Sequence, residues 1–370
     1  MSTSVSHAVL DGIPRVDLRS NLQQAASATK RGLGSLVSEA LALRHGPGKL
    51  TGNEYFYFRL WENDRTREDK RRFVGKLAQS PMHRACVDTA WRLAADDKLL
   101  FHALMTGAGF PVPELLGIVH PSRGIPGVFR LTNKVETAAF LSTPDNYPLF
   151  AKPIGGKYSL GVLSADGYNV QDGCVALHDG GKQDAGHLAA FLGDNEDGYM
   201  LQRRLEPHHD LERQFGACLW SARLLMLLTP DGPILHRAVV KIATGANPAD
   251  NFWRHGNMLG AINLANGQVT RVVSGVGANM AVDSVHPDTG KVIVGTSIPD
   301  WPELVDIVMD AATLFPGIRT QSWDVALSND GPVPLEVNWG GDLNLSQLAS
   351  GVGVLDQVYR DHLTRCGYRQ

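Results

Sequence analysis

The segment SWDVALSNDGPVPLEVNW (322–339) constrains the fold of this chain more than any other stretch. Two strand-like runs flank the turn-forming residues 329–331, which predicts an antiparallel hairpin. Side chains alternate along a strand, so Glu336 and Asn338 share one face. Pairing across the hairpin would bring Asp324 close to Glu336. We therefore expect a sheet that gathers these polar side chains.

Such a polar group predicts either a metal site or an exposed face. A carboxylate and an amide oxygen on one face form a hard-oxygen ligand pair suited to Mg²⁺. Two buried carboxylates side by side repel each other, and this is costly unless a cation joins them. An exposed polar face on an antiparallel sheet is the common alternative. The apolar neighbours in WDVAL and PLEVN favour the buried site, with Asp324, Glu336 and Asn338 as candidate metal ligands.

The rest of the chain predicts an α+β protein with a mostly helical start. Residues 1–95 show mainly helical spacing, although glycines weaken the middle of the helical pattern over 21–43. A helix is expected over 301–317 and a final one over 342–363. From about residue 110 short β-like runs alternate with turns. These runs are LLGIV, YPLFAKPI, GYMLQRRL, ARLLMLL, ILHRAVVKIA and QVTRVV.

Composition limits the function classes. A chain of 370 residues predicts two or three packed units, and a formal net charge of −3 gives no reason to expect nucleic acid as a partner. We expect no secretory signal, because the N-terminus lacks a basic start and an apolar core. No apolar stretch is long enough to cross a bilayer. The four cysteines form no CxxC pair, so neither a disulfide framework nor a zinc site is expected, and a reducing cytoplasm fits.

The segment LFAKPIGGKYSLGV (149–162) contains a glycine-rich loop that resembles a phosphate-binding P-loop only superficially. A Walker A motif fails here, because Ala151 stands in place of its first glycine and Tyr158 in place of its Ser or Thr. Lys152 ends an apolar strand, where it can act as a fixed cation beside a phosphate. The glycines after it let backbone N–H groups close over phosphate oxygens. A plain β-turn loop with a solvated lysine is the alternative.

Three cations are expected on strands, at Arg223, Arg237 and Lys241. Arginine within the apolar run SARLLMLL is unusual, because a buried charge needs a partner. The partner is either a structural ion pair or an anionic substrate, and we favour the substrate for Arg223. Lys98, in DDKLL, has the pattern of a surface helix residue when taken alone.

The segment YMLQRRLEPHHDL (199–211) predicts a strand that ends before Pro207 and a crossing between two units. His208 and His209 lack a third ligand at zinc spacing. They fit a polar loop at the edge of a cleft better than a metal site.

In their order along the chain, these motifs resemble the ATP-grasp superfamily. DDK…GAGFPVP is followed by LFAKPIGGKYSLGV, then YMLQRRLE, then DVAL…DGPVPLEVNWGGDLN, over roughly residues 96–350. The set is much more specific than any single motif. Four further segments are similar to the sugar-transfer-associated branch, which is related to α-L-glutamate ligases: HHDL, SARLLML, NPADNFWRHGNMLGAINLANGQV and DVALSNDGPVPLEVN.

The resemblance implies two α+β subdomains, 96–205 and 206–370, that clasp ATP between them after a mostly helical region, 1–95. Lys98 and Lys152 would contact phosphates, and the glycine loop would close over them. The backbone near Gln202 to Leu205 would bind adenine, with His208 or His209 near the ribose. The implied ATP contacts are Lys98, Lys152, Gly155, Gly156, Lys157, Tyr158, Ser159, Gly161, Gln202, Arg203, Arg204, Leu205, His208 and His209. The implied Mg²⁺ ligands are Asp324, Glu336 and Asn338. The implied catalytic residues are Arg223 and Lys152. The candidate substrate contacts are Arg237, Lys241, Asn251 and Asp342.

The chain departs from the family pattern at three positions. Gln202 stands where many relatives have glutamate, and Lys241 where the branch often shows arginine. Ser322 stands where D-alanine–D-alanine ligases carry an arginine two residues before the metal aspartate. The arginine that stabilises the transition state is therefore open among Arg223, Arg237 and Arg319. The first 95 residues do not resemble the preceding domain of the better-known ligases.

The resemblance implies an ATP-dependent carboxylate–amine ligase that forms an amide through an acylphosphate and releases ADP and phosphate. Natural-product or polysaccharide-modification metabolism is the expected setting. A phosphotransferase acting on a hydroxyl group and an ATP-binding protein without turnover are the alternatives. Expected partners are ATP, Mg²⁺, a small carboxylate and an amine, with no nucleic acid or membrane, and a homodimer is one option for the assembly. The specificity surfaces are expected in residues 1–95 and 243–260.

Overall fold

The computed structural model describes residues 17–155, 161–245, 251–253, 256–275 and 280–369. No helix within these ranges is both long enough and apolar enough to span a membrane. The helices there are α1 (Leu18–Thr29), α2 (Leu33–Arg44), α3 (Gly52–Tyr57), α4 (Arg67–Arg71), α5 (Lys76–Ala85), α6 (Arg92–Asp96), α7 (Lys98–Gly107), α8 (Lys134–Leu141), α9 (Ala185–Gly193), α10 (His209–Phe215), α11 (Trp301–Ala312), α12 (Leu343–Ser350) and α13 (Gln357–Arg365). Short 3₁₀ turns lie at Thr89–Trp91 and Pro144–Asn146.

The strands form two sheets. The strands are β1 (Leu115–Val119), β2 (Phe129–Leu131), β3 (Leu149–Pro153), β4 (Leu163–Asn169), β5 (Cys174–Leu177), β6 (Lys182–Asp184), β7 (Tyr199–Arg203), β8 (Ser221–Thr229), β9 (Gly232–Ile242), β10 (Met258–Ile262), β11 (Val269–Ser274), β12 (Ala281–Asp283), β13 (Thr320–Ser328) and β14 (Gly331–Trp339). The first sheet has the order β2-β1-β7-β3-β4-β5-β6, and the second has the order β12-β11-β10-β9-β8-β13-β14.

The second sheet is covered on both faces. One face, with Leu224 and Trp323, shares a core with α11. The N-terminal helices pack on the other side, where Leu36 and Tyr55 share a core with Leu259 of β10. The first sheet has a separate core with α8 and α9. The predicted α+β fold with a helical N-terminal region is thus confirmed, and the N-terminal helices are built into the second sheet's core.

Most predicted elements are confirmed, with differences at glycines and at element ends. The hairpin forms as predicted across residues 329–330. The helix expected over 301–317 ends at Ala312. The prediction of a single final helix over 342–363 was wrong, because Gly351 adopts φ +71° and ends α12 before α13 begins. The helical pattern over 21–43 likewise divides into α1 and α2, at Lys30 with φ 56°.

The charged run 63–77 has the sequence pattern of a solvated helix face, but the structure buries part of it. Lys70 has a side chain only 5% exposed, and its Nζ lies 3.0 Å from a carboxylate oxygen of Glu39. A buried lysine needs such a counter-charge, which here comes from α2. The charge pattern alone did not indicate this pairing, because Glu39 is distant in sequence.

Candidate active site

Three neighbouring strands of the second sheet form the floor of the candidate site. β13 lies between β8 and β14, and Asp324 on β13 is the register partner of both Arg223 on β8 and Glu336 on β14. The predicted pairing of Asp324 with Glu336 across the hairpin is therefore confirmed. Adjacent strands lie about 4.8 Å apart, so these three charged residues belong to one patch.

Asp324 is held by two cations. Nε of Arg223 donates to Oδ1 at 2.6 Å, and Nζ of Lys241 on β9 lies 3.3 Å from Oδ2. Burial alone would raise the pKa of Asp324, but Arg223 and Lys241 outweigh it and hold this pKa well below its usual range. Burial would likewise lower the pKa of Arg223, yet Asp324 raises it above its ordinary value. The structural ion pair considered for Arg223 is present, with Lys241 as a second cation.

Glu336 and Asn338 lie side by side on β14, as strand alternation predicts. Nδ2 of Asn338 donates to Oε1 of Glu336 at 3.1 Å, and Nζ of Lys98 lies 3.8 Å from Oε2. The Glu336 side chain is 28% exposed, so its carboxylate reaches the solvent edge of the patch. The bond within the pair uses the amide nitrogen of Asn338 and not its oxygen. Carboxylate and amide oxygens therefore stand next to each other at an accessible position.

Lys98 and Lys152 join the first sheet to this patch. Lys98 is the first residue of α7, and its backbone N–H donates to the carbonyl of Ile154 at 3.1 Å, which ties α7 to the end of β3. Lys152 on β3 is 9% exposed, and its Nζ donates to the backbone carbonyl of Leu335 on β14 at 3.4 Å. Lys98 on α7 and Lys152 on β3 thus approach β14, near Glu336.

The environment of Lys152 changes its acidity. The pKa of Lys152 falls to about 8, mainly because the residue is buried. The negative charge of Glu336 raises this pKa, and the positive charge of Lys98 lowers it. An anion bound beside Nζ would favour the charged form and raise this pKa. Lys152 is therefore a cation that an anionic ligand would stabilise.

The patch carries more positive than negative charge. The Lys76–Asp342 pair at its border, 2.9 Å apart, adds no net charge. Cations clustered among the described residues repel one another, so this set favours a ligand with several negative charges. The cations are Lys98, Lys152, Arg223 and Lys241, and the carboxylates are Asp324 and Glu336.

The described ends of the glycine loop are both restricted to glycine. A Cβ on Gly155 would lie 2.7 Å from Oδ2 of Asp197. Gly161 has φ +74°, and its carbonyl accepts a hydrogen bond from the hydroxyl of Tyr199 at 3.0 Å. The loop is therefore anchored where it leaves β3 and where it approaches β4. The predicted ATP contacts Gly156, Lys157, Tyr158 and Ser159 lie outside the described residues.

The segment that leaves the first sheet begins on β7, between β1 and β3. The side chain of Arg203 pairs with Glu114 at 3.3 Å, and that of Arg204 pairs with Asp166. These arginine side chains bind residues of the first sheet and its connections, so nucleotide contact in this segment would fall to its backbone. The predicted adenine contacts here are Gln202, which is buried, Arg203, Arg204 and Leu205.

His208 and His209 dock the crossing segment on the β13–β14 hairpin. The backbone N–H of His208 donates to the carbonyl of Leu327 at 2.9 Å, and that of His209 donates to Oδ1 of Asn329 at 2.8 Å. Asp210 supplies the third metal-binding side chain that sequence spacing lacked, within 4.8 Å of both histidines. However, Nδ1 of His208 accepts the N–H of Asp210 at 3.2 Å, which is a helix cap.

Two further predicted residues form hydrogen bonds with backbone groups. The guanidinium of Arg319 donates to the carbonyl of Ala85 at 2.7 Å, at the far end of β13. The side chain of Asn251 accepts an N–H from its own loop at 3.1 Å. Of the three arginines considered for the transition state, Arg223 is the one paired with Asp324.

A narrow cavity lies beside Arg223. It is also lined by Arg237 and Asp342, and its volume of about 10 Å³ is close to that of one water molecule. Arg237 forms an ion pair with Asp356 at 2.7 Å. Sequence reasoning missed Lys76, which pairs with Asp342, because nothing in the charged run 63–77 distinguishes it from a solvated lysine.

A profile of sugar-transfer associated ATP-grasp proteins matches residues 85–360. The chain belongs to the sugar-transfer associated ATP-grasp family. The two sheets with a glycine loop on the first and paired acidic residues on the second agree with the ATP-grasp fold.

Solved structures similar to this chain include three ligases. The L-amino acid ligase from Bacillus licheniformis has 12% identity and a TM-score of 0.39, covering 73% of this chain and 48% of that chain. The D-alanine-D-alanine ligase from Coxiella burnetii has 12% identity and a TM-score of 0.40, and the match covers 76% of this chain and 60% of that chain. The ATP-grasp ligase PsnB has 12% identity and a TM-score of 0.38, and the match covers 76% of this chain and 61% of that chain. The chain thus spans about half to three fifths of their lengths, and curated protein sequences gave no significant match.

Proposed function

We propose that this ATP-grasp protein is a carboxylate–amine ligase that uses ATP to form an amide bond. The observation that carries the proposal is the convergence of Lys98 and Lys152, from the first sheet's side, on Glu336 of the second. An ATP phosphate chain has the multiple negative charges that such an excess of cations would accommodate.

Mg²⁺ fits the donor set on β14. The carboxylate of Glu336 and the amide oxygen of Asn338 are hard-oxygen ligands, and Asp324 lies directly across the hairpin. Mg²⁺ held by these residues would supply positive charge that neutralises a bound phosphate chain. In this structure Asp324 is paired with Arg223 and Lys241, so it would have to share or exchange these partners to act as a ligand.

The protein's own residues address the repulsion between two anions. An anionic carboxylate must approach an anionic phosphate, and Lys98 and Lys152 would lower that repulsion. Arg223 would stabilise charge on the transferring phosphoryl group once an anionic substrate competes for it with Asp324. The glycine loop, anchored at Gly155 and Gly161, would close over the site and exclude water, which would otherwise hydrolyse the acylphosphate.

The proposed reaction has two balanced steps. A carboxylate oxygen attacks the γ-phosphorus, the bond to the bridging oxygen breaks, and ADP leaves, which yields an acylphosphate. The amine nitrogen then attacks the acyl carbon, phosphate leaves, and the nitrogen loses a proton. One oxygen of the original carboxylate therefore ends in the released phosphate.

Oxygen labelling tests this prediction directly. The protein would be incubated with ATP, Mg²⁺, a pool of amines and a pool of ¹⁸O-labelled carboxylic acids, and the phosphate analysed by mass spectrometry. We expect ADP, an amide mass and ¹⁸O in the phosphate. The same assay without amines is the control, since it should give little amide.

Each of the other outcomes would support a different function or reaction route. A phosphorylated product without free phosphate would replace the ligase with a phosphotransferase acting on a hydroxyl group. AMP with pyrophosphate would exclude the acylphosphate route. ATP binding without turnover in any pool would favour a binding protein.

A further inference from the structure

A second chemical cluster lies at the far end of β13, apart from the patch around Asp324. It joins Cys86, which follows α5, to His362 and Cys366 at the end of α13. Their ligand atoms, two Sγ and one imidazole nitrogen, lie within 4.8 Å of one another. The two cysteines are far apart in the sequence, and the packing of α5 and α13 against the second sheet brings them together.

The spacing of these atoms matches a tetrahedral metal site. Sγ of Cys366 is 3.6 Å from Nε2 of His362. Zn–S bonds of about 2.3 Å and Zn–N bonds of about 2.05 Å place a sulfur and a nitrogen ligand about 3.6 Å apart in a tetrahedron. Residues at i and i+4 on one helix, such as His362 and Cys366, face the same side, as two ligands of one ion must.

The surroundings favour a neutral complex. Cys86 and His362 are 1% exposed and Cys366 is 8% exposed, inside a core of leucine and valine side chains. Zn²⁺ with two thiolates and one neutral imidazole has no net charge, which keeps the cost of burying the ions low. Soft thiolate ligands select zinc over Mg²⁺, so this site would not compete for the ion proposed at Glu336.

A position for a fourth ligand is present. Oγ1 of Thr320 lies 2.9 Å from Nε2 of His362. The hydroxyl of Tyr359, fully buried near both cysteines, has no hydrogen-bond partner of acceptable geometry in the described part of the chain. A buried hydroxyl without a partner is costly and indicates a missing group. Either hydroxyl can bind the metal or a water attached to it.

We propose that Cys86, His362 and Cys366 form a structural zinc site, with the fourth position beside Thr320 and Tyr359. The ion links Cys86, at the end of α5, to the C-terminal helix α13, beside Thr320, the first residue of β13. Its role is to hold the scaffold around the candidate active site and not to take part in the reaction. It therefore stands independently of the proposed ligase activity.

Metal analysis of the intact chain tests the site. Protein purified without chelators or a histidine tag would be incubated with Zn²⁺, desalted and measured by inductively coupled plasma mass spectrometry. We expect one zinc ion per chain in the wild type and in Cys174→Ser, a control at an intermediate-exposure cysteine. Cys86→Ser and Cys366→Ser should lose that ion and have a lower melting temperature.

A spectroscopic arm uses the wild type alone, so it does not depend on the folding of variants. Replacing zinc with Co²⁺ should give thiolate-to-cobalt charge-transfer bands and the strong visible absorption of tetrahedral cobalt. A wild type that binds no more zinc than Cys86→Ser and Cys366→Ser do, or that binds cobalt without thiolate bands, would overturn the site. An intact mass lower by two hydrogens, with Cys86 and Cys366 resistant to alkylation, would replace it with a disulfide.

Discussion

At the residue scale, charge balance explains the candidate active site. Two cations hold the pKa of Asp324 well below its usual range. Burial lowers the pKa of Lys152 to about 8. Each group is placed so that an incoming anion would change its partners.

Replacing Lys152 with methionine should weaken ATP binding without weakening the fold. A hydrogen bond to a charged group contributes about 1.5–3 kcal/mol, so the KM for ATP should rise about 10- to 100-fold. The melting temperature should stay level or rise, because methionine removes a buried cation. Lys182→Met on exposed strand β6 is the matched control, and equal effects in both variants would remove Lys152 from the site.

The pKa of Lys152 predicts an alkaline limb. The ratio kcat/KM for ATP reports groups of the free enzyme, so it should fall as pH rises through about 8, where Lys152 loses its proton. Lys152→Arg keeps the charge, and any activity it retains should persist to higher pH. A wild-type profile that is flat between about pH 7 and about pH 9.5 would contradict this assignment.

Glu336→Gln should abolish turnover and leave the fold intact. Loss of a metal-binding carboxylate should remove about 3 kcal/mol or more of transition-state stabilisation, a loss of roughly 100-fold or more in kcat. Glu336 also raises the pKa of Lys152, so any residual activity should decline at lower pH than in the wild type. Glu303→Gln on the exposed side of α11 should behave as wild type. Normal activity in Glu336→Gln would exclude this residue from metal binding.

At the element scale, the β13–β14 hairpin and its exit position the site. Gly340, directly after β14, has φ +80°, and its N–H donates to the carbonyl of Thr320 at 2.7 Å. A Cβ there would lie 2.2 Å from the ring of His83 on α5. The close contact fixes the end of the strand that carries Glu336 and Asn338 against the N-terminal helices.

Gly340→Ala should therefore destabilise the protein more than Gly331→Ala. Both glycines have positive φ, +80° and +86°, so both variants bear about 1–2 kcal/mol of backbone strain. Only Gly340 also meets a buried ring, which adds about 1–3 kcal/mol. Urea unfolding of the two variants measures the difference, and equal losses would show that the ring contact relaxes freely.

At the scale of the whole molecule, the N-terminal helices complete the second sheet's core. Leu36 on α2 is fully buried in the cluster that contains Leu259 and Val273 of β10 and β11. The sheet face they cover is apolar and would otherwise meet water. The sequence division at residue 95 stays a prediction, but the core continues across it.

Leu36→Ala should consequently loosen the sheet as well as the helix. The cavity should cost about 2–5 kcal/mol of unfolding free energy and speed hydrogen exchange in β10 and β11. Leu41→Ala on the same helix, 55% exposed, should change stability by only about 0.5 kcal/mol. Unchanged exchange in β10 and β11 would mean that the helices unfold independently of the sheet.

The local elements and the order of the motifs were predictable from the sequence alone. Strand alternation and turn chemistry depend on neighbouring residues, so the hairpin, the shared face of Glu336 and Asn338, and the family were predictable. The sequence also predicted that Arg223 needs a partner, since charge does not stay buried alone.

Only the tertiary structure decided which distant groups meet. The Arg223–Asp324–Lys241 set, the Lys76–Asp342 pair and the Cys86–His362–Cys366 cluster each join side chains from separate segments. Their contacts follow from how sheets and helices pack, which is a sum of many weak burial terms over the whole chain. Sequence spacing carries no record of that packing, and for this reason it did not reveal the cysteine cluster.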